Sequence, residues 1–189
     1  MSSILKVDQL QDSGGNAIIT SDGSGNLTAG TIPAKTIGTG AIIQVVNDSD
    51  TANTVVSTQT YTDTGLSASI TPSSTSNKVL IMISQDFQLE STTSISAVTG
   101  GFKLLRDSTT LYTGSDDGNS FGVRIVGEGS ASRAFNFVWS YQYYDTPSST
   151  SSITYKTQCR TYDTNYRFRL NNQINGTSKS FITLMEIAG

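Results

Sequence analysis

The sequence AFNFVWSYQYY, residues 134–144, decides the fold, because aromatic residues recur in it at every second position. The recurring rings belong to Phe135, Phe137, Trp139, Tyr141 and Tyr143. Successive side chains of a β-strand point to opposite faces, so this alternation predicts a strand with one aromatic face. Aromatic side chains bury large areas, and we therefore expect this strand to lie against a core.

The rest of the sequence after residue 40 is similar in character. Short segments rich in Val, Ile, Thr, Tyr and Phe alternate with turn-forming segments, and no segment has a helical period. The predicted strands cover residues 41–47, 54–60, 66–71, 78–87, 101–107, 109–113, 120–126, 134–144, 152–160, 166–170 and 180–187. The predicted turns cover residues 47–50, 71–74, 114–119 and 146–149. This pattern predicts an all-β protein with an antiparallel β-sandwich of the jelly-roll type.

Two of the predicted strands, residues 78–84 and 180–187, are apolar on both faces. A strand in an antiparallel sandwich ordinarily has one face in water. In a chain of this length, a second subunit is the simplest cover for the outer face. The candidate residues of this oligomer interface are Leu80, Met82, Ile182 and Leu184.

The first 40 residues differ in composition from the rest, because all 16 aromatic residues lie at or after Tyr61. We therefore predict a compact head domain over residues 41–189 and a separate, thinner segment over residues 1–40. The Gly-Thr-Gly sequence at residues 38–40 is the predicted joint between them.

A repeat with a spacing of ten residues occurs inside this N-terminal segment. The sequence DSGGNA at residues 12–17 is followed by DGSGNL at residues 22–27. Asp, Asn and Gly are the residues that tight turns require, so we expect two turns between short extended pieces at residues 4–10, 16–20 and 26–28. These elements would form a small β-meander or a stalk. Such a small meander is not stable by itself, and it would pack on copies of itself or on a larger partner. The alternative is an unstructured tail.

An attachment function follows from the small-meander interpretation. The N-terminal segment contributes little to the core of the head, yet it has enough apolar residues to dock a strand or hairpin on a partner. The candidate attachment residues are Ile4, Leu5, Val7, Leu10, Ile18, Ile19 and Leu27.

The charge and composition exclude several classes of partner. The net charge is −3 and the 12 basic residues are scattered, which argues against nucleic-acid binding. No apolar run approaches the roughly 20 residues that span a bilayer, and the first 30 residues lack a signal-peptide pattern. A single cysteine, Cys159, excludes an internal disulfide framework, and we expect it to be a buried small apolar residue.

Catalytic and metal-binding patterns are weak. The sequence has no histidine, which removes the common catalytic triads and every histidine metal site. Asp116-Asp117-Gly118-Asn119 could offer oxygen ligands to calcium but lacks the bidentate glutamate of a calcium loop, so we favour an ordinary turn. Glu90, Glu128 and Glu186 have no spacing that pairs them as acid and base. We therefore expect no enzyme activity, no cofactor and no resident metal.

Several segments resemble structural proteins of marine tailed bacteriophages. The opening MSSILKVDQLQDSGGNAIITSDGSGNL resembles the start of virion and tail-fibre proteins of such phages, including those of cyanobacteria. The segments YTDTGLSASITPSSTSNKVLIMIS, TTLYTG, SSITYKTQC and FITLMEIAG are similar to a recurrent module of the same phages. The resemblance implies a trimeric virion appendage, assembled in the host cytoplasm, with a head similar to tumour-necrosis-factor-like folds. It implies no catalytic residues.

Two positions on the virion are compatible with this resemblance. The protein is either a tail-fibre or spike tip that binds a glycan or protein of the host surface, or a capsid decoration or head-fibre protein bound to the shell. We favour the tail-associated, receptor-binding interpretation. The Tyr-rich residues 141–144 could stack on carbohydrate, although packing in a core or interface explains many of these rings. A secreted adhesin would require a secretion signal.

Overall fold

We analysed a computed structural model of the chain, which describes residues 9–24, 26–29, 38–93, 97–114, 122–126, 134–172 and 178–189. Every regular element in these ranges is a β-strand, and every pair of strands is antiparallel. The all-β prediction is therefore confirmed. The chain divides into two compact units, Met1–Ala41 and Ile42–Gly189. The functions that we predicted for the N-terminal segment and the head remain predictions.

The N-terminal unit contains a three-stranded antiparallel meander. Its strands are β1 (Gln9–Gln11), β2 (Ala17–Ser21) and β3 (Leu27–Ala29), in that spatial order. Leu10 lies opposite Ile19, and Ile19 lies opposite Ala29. The predicted strand over residues 4–10 is described only from Gln9 onwards.

The two copies of the sequence repeat form the same kind of turn. In the first, Asp12 Oδ1 accepts hydrogen bonds from the backbone N–H groups of Gly14 (2.8 Å) and Asn16 (2.9 Å). In the second, Asp22 Oδ1 accepts from Ser24 (2.7 Å) and Asn26 (3.2 Å). Each asparagine side chain also donates to its aspartate, and these bonds hold the pKa of both carboxyls below the ordinary value. The predicted turns are thus present in the described residues.

The described residues of the head form eleven strands in two sheets. The six-stranded sheet has the order β4–β14–β7–β13–β5, with β11 on the other edge of β7, and the five-stranded sheet has the order β10–β8–β12–β6, with β9 beside β8. The strands are β4 (Ile42–Asp50), β5 (Thr54–Val56), β6 (Thr62–Ile70), β7 (Lys78–Ser91), β8 (Ala97–Arg106), β9 (Thr109–Thr113), β10 (Gly122–Val126), β11 (Ala134–Asp145), β12 (Ile153–Thr161), β13 (Tyr166–Leu170) and β14 (Ser180–Ile187).

The two sheets enclose one hydrophobic core, in a β-sandwich-like arrangement. Phe102 of the five-stranded sheet meets three rings of the six-stranded sheet: Trp139 at 4.7 Å, Phe87 at 5.1 Å and Phe168 at 5.1 Å between ring centroids. Cys159 is fully buried here, as predicted, and burial raises the pKa of its thiol. Ring packing between the sheets therefore fixes their separation at the centre of the head.

Strand boundaries differ from the prediction in several places. β5 ends at Val56 rather than at residue 60, β6 begins at Thr62 rather than at residue 66, and β7 continues to Ser91 rather than ending at residue 87. Residues 47–50, predicted to be a turn, continue β4, because they pair with β14 and Asn47 donates a 2.7 Å hydrogen bond to Thr183 Oγ1. β8 begins at Ala97 rather than at residue 101, and it therefore includes Gly100. A Cβ at Gly100 would lie 2.3 Å from Phe168 Cε2, so the glycine is needed for close packing inside the strand.

Buried polar side chains cross the core between the sheets. Thr157 donates a 3.0 Å hydrogen bond to Gln85 Oε1, and Gln85 Nε2 donates to Ser180 Oγ (2.8 Å). Ser180 in turn donates to Asn171 Oδ1 (2.6 Å). All four residues have 0% exposure. Because each of these groups has a partner, the chain of bonds ties strands of both sheets together without leaving a buried polar group unsatisfied.

A second buried polar group, Glu186, anchors the loop before β7. Its Oε1 atom accepts hydrogen bonds from Ser73 N (2.6 Å), Ser73 Oγ (2.8 Å) and Asn77 Nδ2 (2.6 Å), and its Oε2 atom accepts from Gln44 Nε2 (2.7 Å). Burial alone would raise the pKa of Glu186, but the hydrogen bonds from Asn77, Ser73 and Gln44 outweigh it and hold the pKa below the ordinary value. The carboxylate is therefore charged at neutral pH, and neutral hydrogen-bond donors stabilise its charge.

Replacing Glu186 with glutamine is expected to lower the free energy of unfolding by about 2–3 kcal/mol at pH 7, because an amide group then faces hydrogen-bond donors. The folded-state pKa of Glu186 is lower than its unfolded value. Its contribution is therefore present above the ordinary glutamate pKa and is lost as the pH falls through the folded pKa. Denaturant unfolding should show the difference between the wild type and Glu186→Gln shrinking below about pH 4. Asp48→Asn, which removes an exposed carboxylate, is the control; an equal effect there would contradict the prediction.

Candidate functional surfaces

The outer face of the six-stranded sheet has an apolar region where β4, β14, β7 and β11 lie side by side. Val45, Met185, Leu80 and Tyr144 lie opposite one another in register and form a row across these strands. Val45 is 55% exposed and Tyr144 is 50% exposed. Met82 and Phe181 are outward neighbours of this row. We call the whole surface the apolar half-face; it comprises Val45, Leu80, Met82, Tyr144, Phe181 and Met185.

The other half of the same sheet face, where β13 replaces β14 beside β7, is mainly polar, although Val55 of β5, opposite Arg169, is 47% exposed. Glu90 Oε1 accepts a hydrogen bond from Arg169 Nε (2.9 Å) and forms an ion pair with Arg167, whose Nε lies 2.8 Å away. Gln88 Nε2 donates to Asn136 Oδ1 at 3.0 Å. The polar groups of this half therefore bond to one another, whereas the apolar half-face exposes hydrophobic surface of the kind that marks interaction sites.

The structure corrects half of the predicted oligomer interface. Ile182 and Leu184 are fully buried in the core of the head, with 0% exposure, so they do not form an outer surface. The alternation correctly separated the two faces of β14, but it does not show which face turns inward. Leu184 lies opposite Ile81, a core residue of β7, and this register sends Phe181 and Met185 outward. Leu80 and Met82 lie on the apolar half-face, and their role in an interface stays a prediction.

The meander of the N-terminal unit exposes three large apolar side chains. Leu10 is 52% exposed, Ile18 is 48% exposed and Ile19 is 38% exposed. Leu10 and Ile19 lie opposite each other on one face, and Ile18 points to the other face because it is adjacent to Ile19 in β2. Ile4, Leu5 and Val7 lie outside the described residues, and Leu27 pairs with Ser21. The attachment role of all seven residues stays a prediction.

The outer face of the five-stranded sheet is polar and charged. Lys156 Nζ lies 2.9 Å from Asp63 Oδ2, and Gln158 Nε2 donates to Asp63 Oδ1 at 2.7 Å. A depression of about 70 Å³ beside this pair is lined by Asp63, Gly65 and Lys156. It is too small for a small-molecule site, which ordinarily measures roughly 300–1,000 Å³.

A stack of cations and aromatic rings lies on the same outer face. Lys103 belongs to β8 and Arg160 to β12, while Tyr61 directly precedes β6 and Tyr162 directly follows β12. Lys103 Nζ lies 4.0 Å from the ring centroid of Tyr61, and Arg160 Cζ lies 4.8 Å from it. Arg160 Cζ also lies 4.9 Å from the ring centroid of Tyr162. We call the series Lys103, Tyr61, Arg160 and Tyr162 the cation–ring ladder. Its residues come from three separate segments of the sequence, so no local pattern predicts it.

Asp145, at the end of β11, is held by side chains of the five-stranded sheet. Asp145 accepts two hydrogen bonds from Arg106 Nη1 (2.9 and 3.0 Å) and one from the Tyr155 hydroxyl (2.8 Å). Burial and the hydrogen bond to the Asp145 carboxylate raise the pKa of Tyr155. The same bond joins the end of β11 to the five-stranded sheet. No group of three or more acidic, histidine or cysteine residues suited to a metal occurs in the described ranges. Asp116, Asp117 and Glu128 lie outside those ranges.

Comparisons with known proteins do not assign the chain to a family. No protein-family model matches the chain, and no curated protein matches it in sequence. The described part of the chain contains no helix with the length and apolarity needed to cross a membrane. The functional proposal therefore depends on the surfaces described above and on the resemblance of the quoted segments.

Proposed function

We propose that the protein is a non-enzymatic structural component of a bacteriophage virion, attached through its N-terminal unit and carrying an outward head that binds the host surface. The observation that carries this proposal is the exposure of Leu10, Ile18 and Ile19 on a meander that is a unit separate from the head. Three short strands with apolar residues on both faces need a partner to bury them. The resemblance of residues 1–27 to virion proteins supplies the class of that partner.

The head is proposed to be a trimer with a jelly-roll-like, tumour-necrosis-factor-like topology. The apolar half-face supports self-association, because burying apolar surface contributes about 25 cal/mol per Å². Homo-oligomers with closed symmetry are the usual way to cover such a face in a small protein. The polar half of the same sheet would then remain in water.

Labelled virions test both the proposal and the position on the particle. Antibody against the head should decorate the tail tip if the protein is a receptor-binding appendage. A regular pattern over the shell would favour the alternative, a capsid decoration or head-fibre protein. Absence of label from intact, infectious particles would contradict the virion assignment.

An infection assay separates the two positions further. Purified head protein should compete with phage adsorption if the head binds the host surface. Adsorption unchanged at saturating head protein, with a shell pattern in the labelling, would replace the receptor-binding proposal with the capsid one.

A further inference from the structure

β11 is a long edge strand of the six-stranded sheet. Its 12 residues pair with β7 in a regular register, from Ala134 opposite Glu90 to Asp145 opposite Val79. In the described part of the head, no strand pairs with the other side of β11. Such an edge presents a row of backbone N–H and C=O groups, to which a further strand can be added.

β11 lacks the features by which sheet edges ordinarily avoid strand addition. Residues 134–144 contain no charged residue, no proline and no glycine, and the pairing with β7 has no register shift. Large side chains of β11 are also exposed on both faces of the sheet. Phe137, on the core side, is 36% exposed, and Val138, on the outer side, is 60% exposed. A long, regular and uncharged edge of this kind favours association.

The other edge strands in the described part of the head differ from β11. β4, β6 and β9 each have a register shift against the neighbouring strand. β4 also carries Asp48, and β6 carries Asp63. β5 has only three residues and β10 only five. Because bulges, charges and short length all hinder edge pairing, β11 is the described edge that accepts a further strand most readily.

The sequence of β11 is symmetric in its chemistry about position 139. Centred there, antiparallel pairing with a second copy of the strand brings together three pairs of similar side chains: Phe137 with Tyr141, Asn136 with Gln142, and Phe135 with Tyr143. Aromatic pairs directly opposite each other stabilise antiparallel strands, and two amides can bond to each other. No like charges oppose each other in this register. The edge is therefore self-complementary, as a twofold contact between identical chains requires.

We propose that the β11 edges of two copies of this chain pair antiparallel about a twofold axis at position 139, so that the six-stranded sheet of one head continues into that of the next. The contact covers the exposed side chains of Phe137 and Val138. It uses the backbone edge of the sheet, whereas the proposed threefold contact uses the apolar half-face. The inference goes beyond the proposed function, because it joins one oligomer to another.

The size of the contact sets its strength. Eleven paired residues extend over about 35 Å, but an edge is narrow, so the buried area is below the roughly 1,200 Å² of standard interfaces. We therefore expect a dissociation constant of about 100 μM. At micromolar concentration the heads remain separate, and neighbouring copies held close together on a larger assembly pair through the high effective concentration.

Thiol cross-linking of full-length variants tests the register. Asn136→Cys and Gln142→Cys lie opposite each other across the axis, so a mixture of the two at about 0.5 mM, above the expected dissociation constant, should give covalent dimers with a short thiol cross-linker. Each variant alone is the matched control, because the two copies of position 136 are about 20 Å apart in this register. Cys159 has 0% exposure and should not react. We expect at least about fivefold more dimer in the mixture than in either control.

Sedimentation equilibrium of the full-length protein measures the association itself. Between about 10 μM and 1 mM, the mean molar mass of the wild type should rise at least twofold. Val138→Lys places a cation on the edge and should weaken this association at least about tenfold. Ser69→Lys places the same cation on an exposed position of β6 and should change it less than about twofold.

Each alternative result contradicts the proposal. Equal cross-linking of the mixture and the single variants would overturn the register and with it the twofold contact. A molar mass that stays constant over the whole concentration range, or equal weakening by the two lysine variants, would overturn pairing at β11. Circular dichroism shows whether each variant keeps its fold, and the cross-linking decides the question even if Val138→Lys unfolds. None of these results depends on virions, so failure here is distinguishable from failure of the virion assignment.

Discussion

Replacing Leu80 with aspartate is expected to convert the proposed trimer into monomers while leaving the head folded. Leu80 lies in the middle of the row formed with Val45, Met185 and Tyr144. A carboxylate there would be buried without a partner on association, which costs about 3–5 kcal/mol per interface. This corresponds to a roughly 10²- to 10⁴-fold weaker association. In the monomer the same side chain faces water, so the free energy of unfolding of the head should change little.

Light scattering at micromolar concentration measures this effect directly. The wild type should have about three times the chain mass, and Leu80→Asp should have the mass of one chain. Ser67→Asp, on the outer face of the five-stranded sheet opposite Lys156, is the matched control and should leave the mass unchanged. A wild-type monomer would contradict the oligomer, and a wild-type dimer would remove the threefold symmetry. An unchanged mass for Leu80→Asp would place the interface elsewhere.

Deleting residues 1–40 is expected to abolish incorporation into virions without unfolding the head. Every residue of the hydrophobic core cluster lies between Val56 and Leu184, so the deletion removes none of them. Circular dichroism should stay β-type, and the molar mass should remain that of an oligomer. The truncated protein lacks the exposed side chains of Leu10, Ile18 and Ile19, which we propose as the attachment surface. Complementation of a phage lacking the gene, followed by quantification of the protein in purified particles, measures incorporation.

A full-length variant separates loss of the surface from loss of the segment. Leu10→Asp combined with Ile19→Asp keeps the meander residues and should also prevent incorporation. Gln9→Asp changes an exposed polar residue of the same strand and should incorporate normally. Normal incorporation of the truncated protein would place the anchor in the head. An unfolded truncated protein would show that residues 1–40 belong to the core.

Strand positions were predictable because alternation is a local property of the sequence. The aromatic positions of residues 134–144 predicted β11. The alternation in residues 166–170 predicted β13, in which Phe168 and Leu170 are buried and Arg167 and Arg169 lie on the opposite face. The turns at Asp12 and Asp22 were predictable for the same reason, because each aspartate bonds within its own turn. Local chemistry decides these features, so no tertiary information is needed.

Features that depend on tertiary pairing were not predictable. Ile182 and Leu184 turn inward only because β14 lies between β4 and β7. The hydrogen bonds that link Thr157, Gln85 and Ser180 join residues separated by more than 70 positions in the chain, and nothing near each residue signals them. The cation–ring ladder likewise gathers residues from distant positions in the sequence. A single sequence carries alternation and turn chemistry but not the register that brings such side chains together.

The turn with aspartate at its start and asparagine four residues later makes the N-terminal unit modular. Each ten-residue repeat supplies one turn and one strand, and each turn closes through bonds inside the repeat. Insertion of one repeat would add a strand and reverse the direction in which the chain leaves the meander. Insertion of two would restore that direction and lengthen the unit. Duplications in even numbers are therefore the changes that evolution or a protein engineer could make here without turning the following segment around.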